Sequence, residues 1–116
     1  MNPMQTISST ALAERFQRHQ TDLIDVRTPL EFSEVHIEGS HNIPLDTRDF
    51  AKVLASREGA GDDPVYLICR SGARSQRACD RLIETGFSQV INVEGGVMAW
   101  EAAGLPVTRG DQVISL

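Results

Sequence analysis

Four consecutive apolar residues, Val65-Tyr66-Leu67-Ile68, run directly into Cys69-Arg70-Ser71-Gly72-Ala73-Arg74-Ser75, and this junction constrains the chain more than any other stretch. A bounded apolar run this short reads as a strand. Apolar on both faces, it belongs near the centre of a parallel sheet that is covered on both sides. An amphipathic helix is expected behind it, over Ser75 to Thr85, stopped by Gly86. The unit is therefore strand, polar glycine-bearing loop, helix.

The rest of the chain repeats this alternation. Ser8 can cap a helix over Ser9 to Arg18, with Ala11, Leu12 and Phe16 on one face. Asp22 to Val26 reads as a short buried strand. Thr28-Pro29-Leu30-Glu31 is a capping box with Pro29 at the first helical position, and it starts a short helix to about Val35. His41 to Ile43 reads as a strand ended by Pro44. A helix from Asp46 or Thr47 carries Phe50, Val53 and Leu54, and Glu58 to Pro64 is a Gly- and Asp-rich loop. Val90 to Val93 is a further strand, and Val97 to Ala103 a last helix, stopped by Gly104. Strands alternating with helices define an α/β fold with a mostly parallel sheet.

The 116 residues fit one domain, spanning 1–116. A chain of this size buries roughly two-thirds of its surface and needs no disulfide or metal to fold. The net charge of -5 argues against a nucleic-acid partner. It also means that an anionic ligand needs a local positive site, because the whole-molecule field repels it. The two cysteines, Cys69 and Cys79, form no C-x-x-C pair, and His19, His36 and His41 have no metal-like spacing with them. Met1 to Thr10 lacks the basic start and apolar stretch of a signal peptide, and the longest apolar run, Val65 to Cys69, is far too short to span a membrane. These features make the cytoplasm the expected location.

The chemistry is expected at Cys69 to Ser75. In open α/β sheets ligands bind at the carboxyl ends of the strands, where this loop lies. Gly72 permits a tight curve in which backbone N–H groups surround one point. The N-terminus of the following helix adds partial positive charge, and Arg70 and Arg74 add two full charges. Together these are expected to favour the Cys69 thiolate and to hold an anion beside it. A lone cysteine at a strand end is ordinarily a small core residue, but a core cysteine does not need a glycine and two guanidiniums within five residues. Cys79 shares an apolar helix face with Ala78, Leu82 and Ile83 and reads as core. Asp25 and Arg27 follow a buried strand and are expected to brace the catalytic loop by a salt bridge. His36 and His41 read as structural or rim residues, Trp100 as a packing residue, and Arg15, Arg18 and Lys52 as solvated helix faces.

The loop resembles the active-site loop of rhodanese domains, and three further blocks match in order. Leu23-Ile24-Asp25-Val26-Arg27 with Glu31-Phe32 is similar to the family's first signature, and His36-Ile37-Glu38-Gly39-Ser40-His41-Asn42-Ile43-Pro44 to its continuation. Glu94-Gly95-Gly96-Val97-Met98-Ala99-Trp100, followed by Gly104-Leu105-Pro106-Val107, is similar to its C-terminal signature. The resemblance runs from about Ile7 to Val107 and leaves Thr108 to Leu116 as a tail.

The resemblance implies a five-stranded, mostly parallel sheet with helices on both faces. It implies a sulfurtransferase in which Cys69 takes sulfane sulfur from thiosulfate or a similar small anionic donor, holds it as a persulfide, and passes it to a thiol or cyanide acceptor. Backbone N–H groups of Arg70, Ser71, Gly72, Ala73, Arg74 and Ser75 then hold the sulfur and the departing anion, with Arg70 and Arg74 binding the anion or orienting the loop. No metal or organic cofactor takes part. One position departs from larger thiosulfate-using relatives: Glu31 stands where they carry an arginine, which weakens the case for tight thiosulfate binding. Two rival classes are a persulfide carrier or regulatory binding module serving a protein partner, and a cysteine phosphatase. The phosphatase loop has one more residue between cysteine and arginine than the four found here. In the tail, Val113 and Ile114 are expected to add an edge strand or pack on the first helix. The alternative is a native chain that continues into an inner-membrane anchor, as in bacterial proteins where a rhodanese domain precedes a small hydrophobic membrane segment.

Overall fold

The computed structural model describes residues 4–57 and 63–110. Its elements are β1 (Met4–Ile7), α1 (Ser9–Arg18), β2 (Leu23–Asp25), α2 (Pro29–Glu34), β3 (Val35–His36), β4 (His41–Asn42), α3 (Phe50–Ala55), β5 (Val65–Ile68), α4 (Ala73–Glu84), β6 (Val90–Val93), α5 (Gly96–Ala102) and β7 (Thr108–Arg109). Five strands form one sheet in the order β1-β6-β5-β2-β4, and every pairing in it is parallel. The expected α/β sheet is therefore present, with β5 at its centre.

Side-chain alternation along β5 builds a core on each face. Val65 and Leu67, with Cys69 just beyond the strand, face Phe50 and Leu54 of α3 and Ala78, Cys79 and Leu82 of α4. Tyr66 and Ile68 face Leu12 of α1 and Val97 and Trp100 of α5. A strand buried on both faces cannot alternate polar and apolar residues, which is why residues 65–68 read as one apolar run. Trp100 is a packing residue, its Nε1 donating to the Pro106 carbonyl at 2.8 Å and its ring meeting Phe16 edge-on.

The helix starts follow local chemistry. Ser8 Oγ accepts from the Ala11 N–H at 3.2 Å. At α2 the Glu31 N–H donates to Thr28 Oγ1 at 3.2 Å while the Thr28 N–H donates to Glu31 Oε1 at 3.0 Å, a complete capping box with Pro29 in the first turn.

Several boundaries differ from the sequence reading. The helix expected from Asp46 or Thr47 begins at Phe50, because the chain first turns at Pro44 to Thr47 and then passes through a left-handed Asp49. The helix expected from Ser75 begins at Ala73, with Gly72 as its N-cap. The fifth strand is β1, an edge strand whose Gln5 and Thr6 are exposed and give no apolar signal. The tail turns back earlier than expected: Thr108 and Arg109 pair antiparallel with His36 and Val35, and the Gly110 N–H donates to the Glu34 carbonyl at 2.9 Å. Val113 and Ile114 lie outside the described residues. Among the described residues no helix is long and apolar enough to cross a membrane.

Candidate active site

Strand β5 delivers Cys69 to the carboxyl edge of the sheet, and α4 starts four residues later. The thiol is 1% exposed. The Gly72 N–H donates to Cys69 Sγ at 3.0 Å, and the Ser75 hydroxyl lies 3.3 Å from the same sulfur. Gly72 can make this turn because its φ is 115°, a value that an L side chain rarely adopts. Burial pushes the Cys69 thiol up. The Ser75 hydroxyl and the N–H groups of Ser75, Gly72 and Ser71 outweigh it, so the thiol ionises below its ordinary range. The alkylation rate of Cys69 plotted against pH should accordingly inflect below the free-thiol value of about 8.5. An inflection at or above that value would show that the ring of donors does not act on the sulfur.

The two arginines of the loop take different places. Arg70 is exposed at the mouth of the loop. Arg74 turns away to Glu31 of α2 in a two-pronged ion pair, Nη1 to Oε1 at 2.8 Å and Nη2 to Oε2 at 2.9 Å. Arg74 together with the Thr28 cap holds the Glu31 carboxyl down at about 2, so the pair is charged on both sides at neutral pH. Glu31 is thus more than a helix cap: it joins α2 to the first turn of α4 and cancels the loop's second full charge. The thiolate is favoured by the N–H groups and Ser75, with no arginine in contact with the sulfur.

Asp25 and Arg27 do form a buried salt bridge, Arg27 Nη2 to Asp25 Oδ2 at 2.8 Å. It braces a different part of the molecule from the one expected, since Arg27 Nη2 also donates to the Val35 carbonyl at 2.6 Å and so ties the end of β2 to β3. Cys79 is fully buried beneath the loop, and burial, with Asp80 and Cys69 nearby, pushes its thiol up to about 12. It packs in the core. His36 stacks on Phe32 and shares a hydrogen bond with the Phe32 carbonyl through Nδ1, while His41 is exposed on β4. Arg15 is not a solvated charge: it lies over the Tyr66 ring at 5.3 Å.

The contacts that hold the Cys69 loop come from residues to which the sequence assigned no role. The Val97 N–H donates to the Cys69 carbonyl at 2.9 Å and the Met98 N–H to the Arg70 carbonyl at 3.0 Å. Gly96 makes that approach possible, since a Cβ there would lie 2.3 Å from the Cys69 carbonyl oxygen. Asn92 of β6 accepts from the Ser75 hydroxyl at 2.5 Å and reaches the Gly72 carbonyl through Nδ2 at 3.4 Å. The Gly95-Gly96 pair was a visible signal in the sequence. Asn92, a polar residue in a strand buried at every position, was another.

A buried cysteine, cradled by backbone donors between a central parallel strand and a helix N-terminus, defines a class of α/β proteins with a thiol at the carboxyl edge of the sheet. The model of the rhodanese-like domain matches residues 8–103, and the chain belongs to that family. A sulfurtransferase of Allochromatium vinosum is 35% identical, over 87% of this chain and 92% of its own length. A thiosulfate sulfurtransferase of Vibrio cholerae is 31% identical, with the same coverage of 87% and 92%. Among solved structures, a rhodanese-related protein from Thermoplasma volcanium superposes with a TM-score of 0.76 at 31% identity, covering 90% of this chain and 97% of its own.

Proposed function

We propose that this protein moves sulfane sulfur from thiosulfate or a similar donor to a thiol, or to cyanide in an assay, through a persulfide on Cys69. The observation that carries this reading is the Cys69 sulfur itself, buried at the end of β5 with the Gly72 N–H at 3.0 Å and the Ser75 hydroxyl at 3.3 Å. The Cys69 thiolate attacks the outer sulfur of thiosulfate. A new S–S bond forms, the donor's S–S bond breaks, and sulfite leaves with the electron pair. An acceptor thiolate then attacks the outer sulfur of the persulfide, and Cys69 leaves as thiolate, ready for another cycle. N–H groups along Arg70 to Ser75 carry the negative charge in both halves. Arg70 draws the anion to the mouth, and Arg74 orients the loop through Glu31. The sulfurtransferase relatives support this chemistry. Mass spectrometry after incubation with thiosulfate tests it: an added sulfur on Cys69 is expected, and an unmodified Cys69 would reject the scheme.

Because Glu31 takes up Arg74, the mouth offers less positive charge to a dianion than the sequence suggests. Glu31→Gln keeps an oxygen to cap Thr28 and releases the Arg74 charge. The KM for thiosulfate should then fall about tenfold, the worth of one partly exposed charged hydrogen bond of about 1.4 kcal/mol. A KM unchanged in steady-state assays would show that the pair does not limit donor binding. The same geometry disfavours a phosphatase, which would need that guanidinium on the phosphate.

A protein acceptor is the second reading. Leu30, 69% exposed, adjoins Glu31, and Met98, 52% exposed, sits on the residue whose N–H holds the Arg70 carbonyl. Both exposed side chains are carried by segments hydrogen-bonded to the loop, which suits contact with a protein surface.

A further inference from the structure

We propose that Asn92 is a positioning residue whose side-chain amide reverses when Cys69 changes charge, and so sets which way the Ser75 hydroxyl proton points.

Protons are in short supply around Ser75. The Ser75 hydroxyl has one proton to give. Three acceptors lie around its oxygen: Asn92 Oδ1 at 2.5 Å, the Gly72 carbonyl at 3.2 Å and Cys69 Sγ at 3.3 Å. The shortest contact takes the proton, so Ser75 donates to Asn92 and presents a lone pair to the sulfur. That arrangement suits a neutral thiol, whose S–H can donate to Ser75 Oγ. It opposes an anion, because a thiolate or persulfide needs the hydroxyl proton for itself.

Ser75 and Asn92 are both buried, so no solvent makes up the difference. If Ser75 turned its proton to the sulfur while Asn92 stayed fixed, two oxygen lone pairs would face each other at 2.5 Å. An amide escapes this cost because its two ends have opposite polarity. Rotated by half a turn, Asn92 donates from Nδ2 to Ser75 Oγ, and Ser75 donates to the sulfur. The rotation gives up the long Nδ2 contact with the Gly72 carbonyl and leaves Oδ1 facing that oxygen at about the same 3.4 Å, a smaller cost than two lone pairs opposed at 2.5 Å. An aspartate here could only accept, and a leucine could do neither.

The other charged or titratable groups around the loop are Arg70, the Arg74–Glu31 pair, the Asp25–Arg27 pair, Cys79 and the exposed Glu94. Glu31 titrates at about 2 and Cys79 at about 12, so neither changes charge together with Cys69.

The inference rests on Cys69 acting as a thiolate but on no particular donor, so it is tested without one. In the native protein, the side-chain amide resonances of Asn92 should titrate with the same midpoint as Cys69 alkylation. The transition should vanish in Cys69→Ser. Resonances that stay still through the Cys69 midpoint overturn the proposal. Asn92→Asp should raise the apparent Cys69 pKa by about one unit, read as a shift of the alkylation midpoint to higher pH by that amount. In a Ser75→Ala background the same substitution should move it by less than half as much. An equal shift in both backgrounds would mean that the aspartate acts through its charge alone, and the relay would be wrong. Should Asn92→Asp fail to fold, the resonance titration of the native chain decides by itself. Normal alkylation behaviour with no sulfur uptake from any donor would reject the sulfurtransferase reading and leave this one standing.

Discussion

Cys69→Ser is expected to abolish sulfur transfer, by at least about a thousandfold, while the fold persists. The side chain is the nucleophile of the proposed scheme. The neighbouring Cys79 cannot replace it, because its thiol is buried and pushed up to about 12. Serine is smaller than cysteine and meets the same partners, the Gly72 N–H as donor and the Ser75 oxygen as acceptor, so its hydroxyl is not left unpaired. The stability cost should stay near about 1 kcal/mol. Steady-state transfer from thiosulfate to cyanide, with circular dichroism as a check on folding, measures both halves. Turnover near that of the wild type would remove Cys69 from the mechanism.

The second large effect is expected at a residue with no side chain of its own. Gly96→Ala places a methyl 2.3 Å from the Cys69 carbonyl oxygen, 2.5 Å from that of Arg70 and 2.6 Å from the Arg70 carbonyl carbon. All three are backbone atoms and cannot rotate aside. Gly96 also has a φ of 60°, which costs alanine about 1 kcal/mol. Relief requires α5 to withdraw from the loop, breaking the Val97 and Met98 hydrogen bonds that fix the Cys69 and Arg70 carbonyls. A loss of about 3–5 kcal/mol is expected, with a melting temperature lower by at least about 10 °C. A displaced loop of about 1 Å should reduce turnover by about a hundredfold. Gly104→Ala is the control. Its φ is 74°, yet nothing lies within 4 Å of its Cβ, so it carries the conformational cost without the clash. Equal melting temperatures and rates for the two variants would show that the close approach at Gly96 is unimportant.

Much of the site was legible in the sequence. Cys69 could be singled out because a strand, a glycine and a helix start are local features written in consecutive residues. The Thr28 capping box and the Ser8 cap were legible for the same reason: their partners lie three residues apart. The strand β1 was not, because an edge strand with exposed Gln5 and Thr6 carries little apolar signal and is defined by its pairing with β6. The β3–β7 pair joins residues more than seventy positions apart and has two residues on each side, too few for any pattern.

The charge of the loop shows where local reading stops. Two arginines near a cysteine suggested two cations on the sulfur. Arg74 is instead claimed by Glu31, forty-three positions away, and the thiolate depends on N–H groups and Ser75. Asp25 and Arg27 paired as their spacing suggested, but the carbonyl they reach is that of Val35. The sequence by itself determined the α/β class, the central strand, the cysteine loop and the helix caps, because each depends on backbone preferences and side chains within a few residues. Only the tertiary structure decided which charges remain available at the mouth, which glycine lets α5 touch the loop, and which buried amide faces Ser75. Those depend on elements far apart in the chain meeting at one edge of the sheet, where the shortest hydrogen bond and the closest backbone contact prevail.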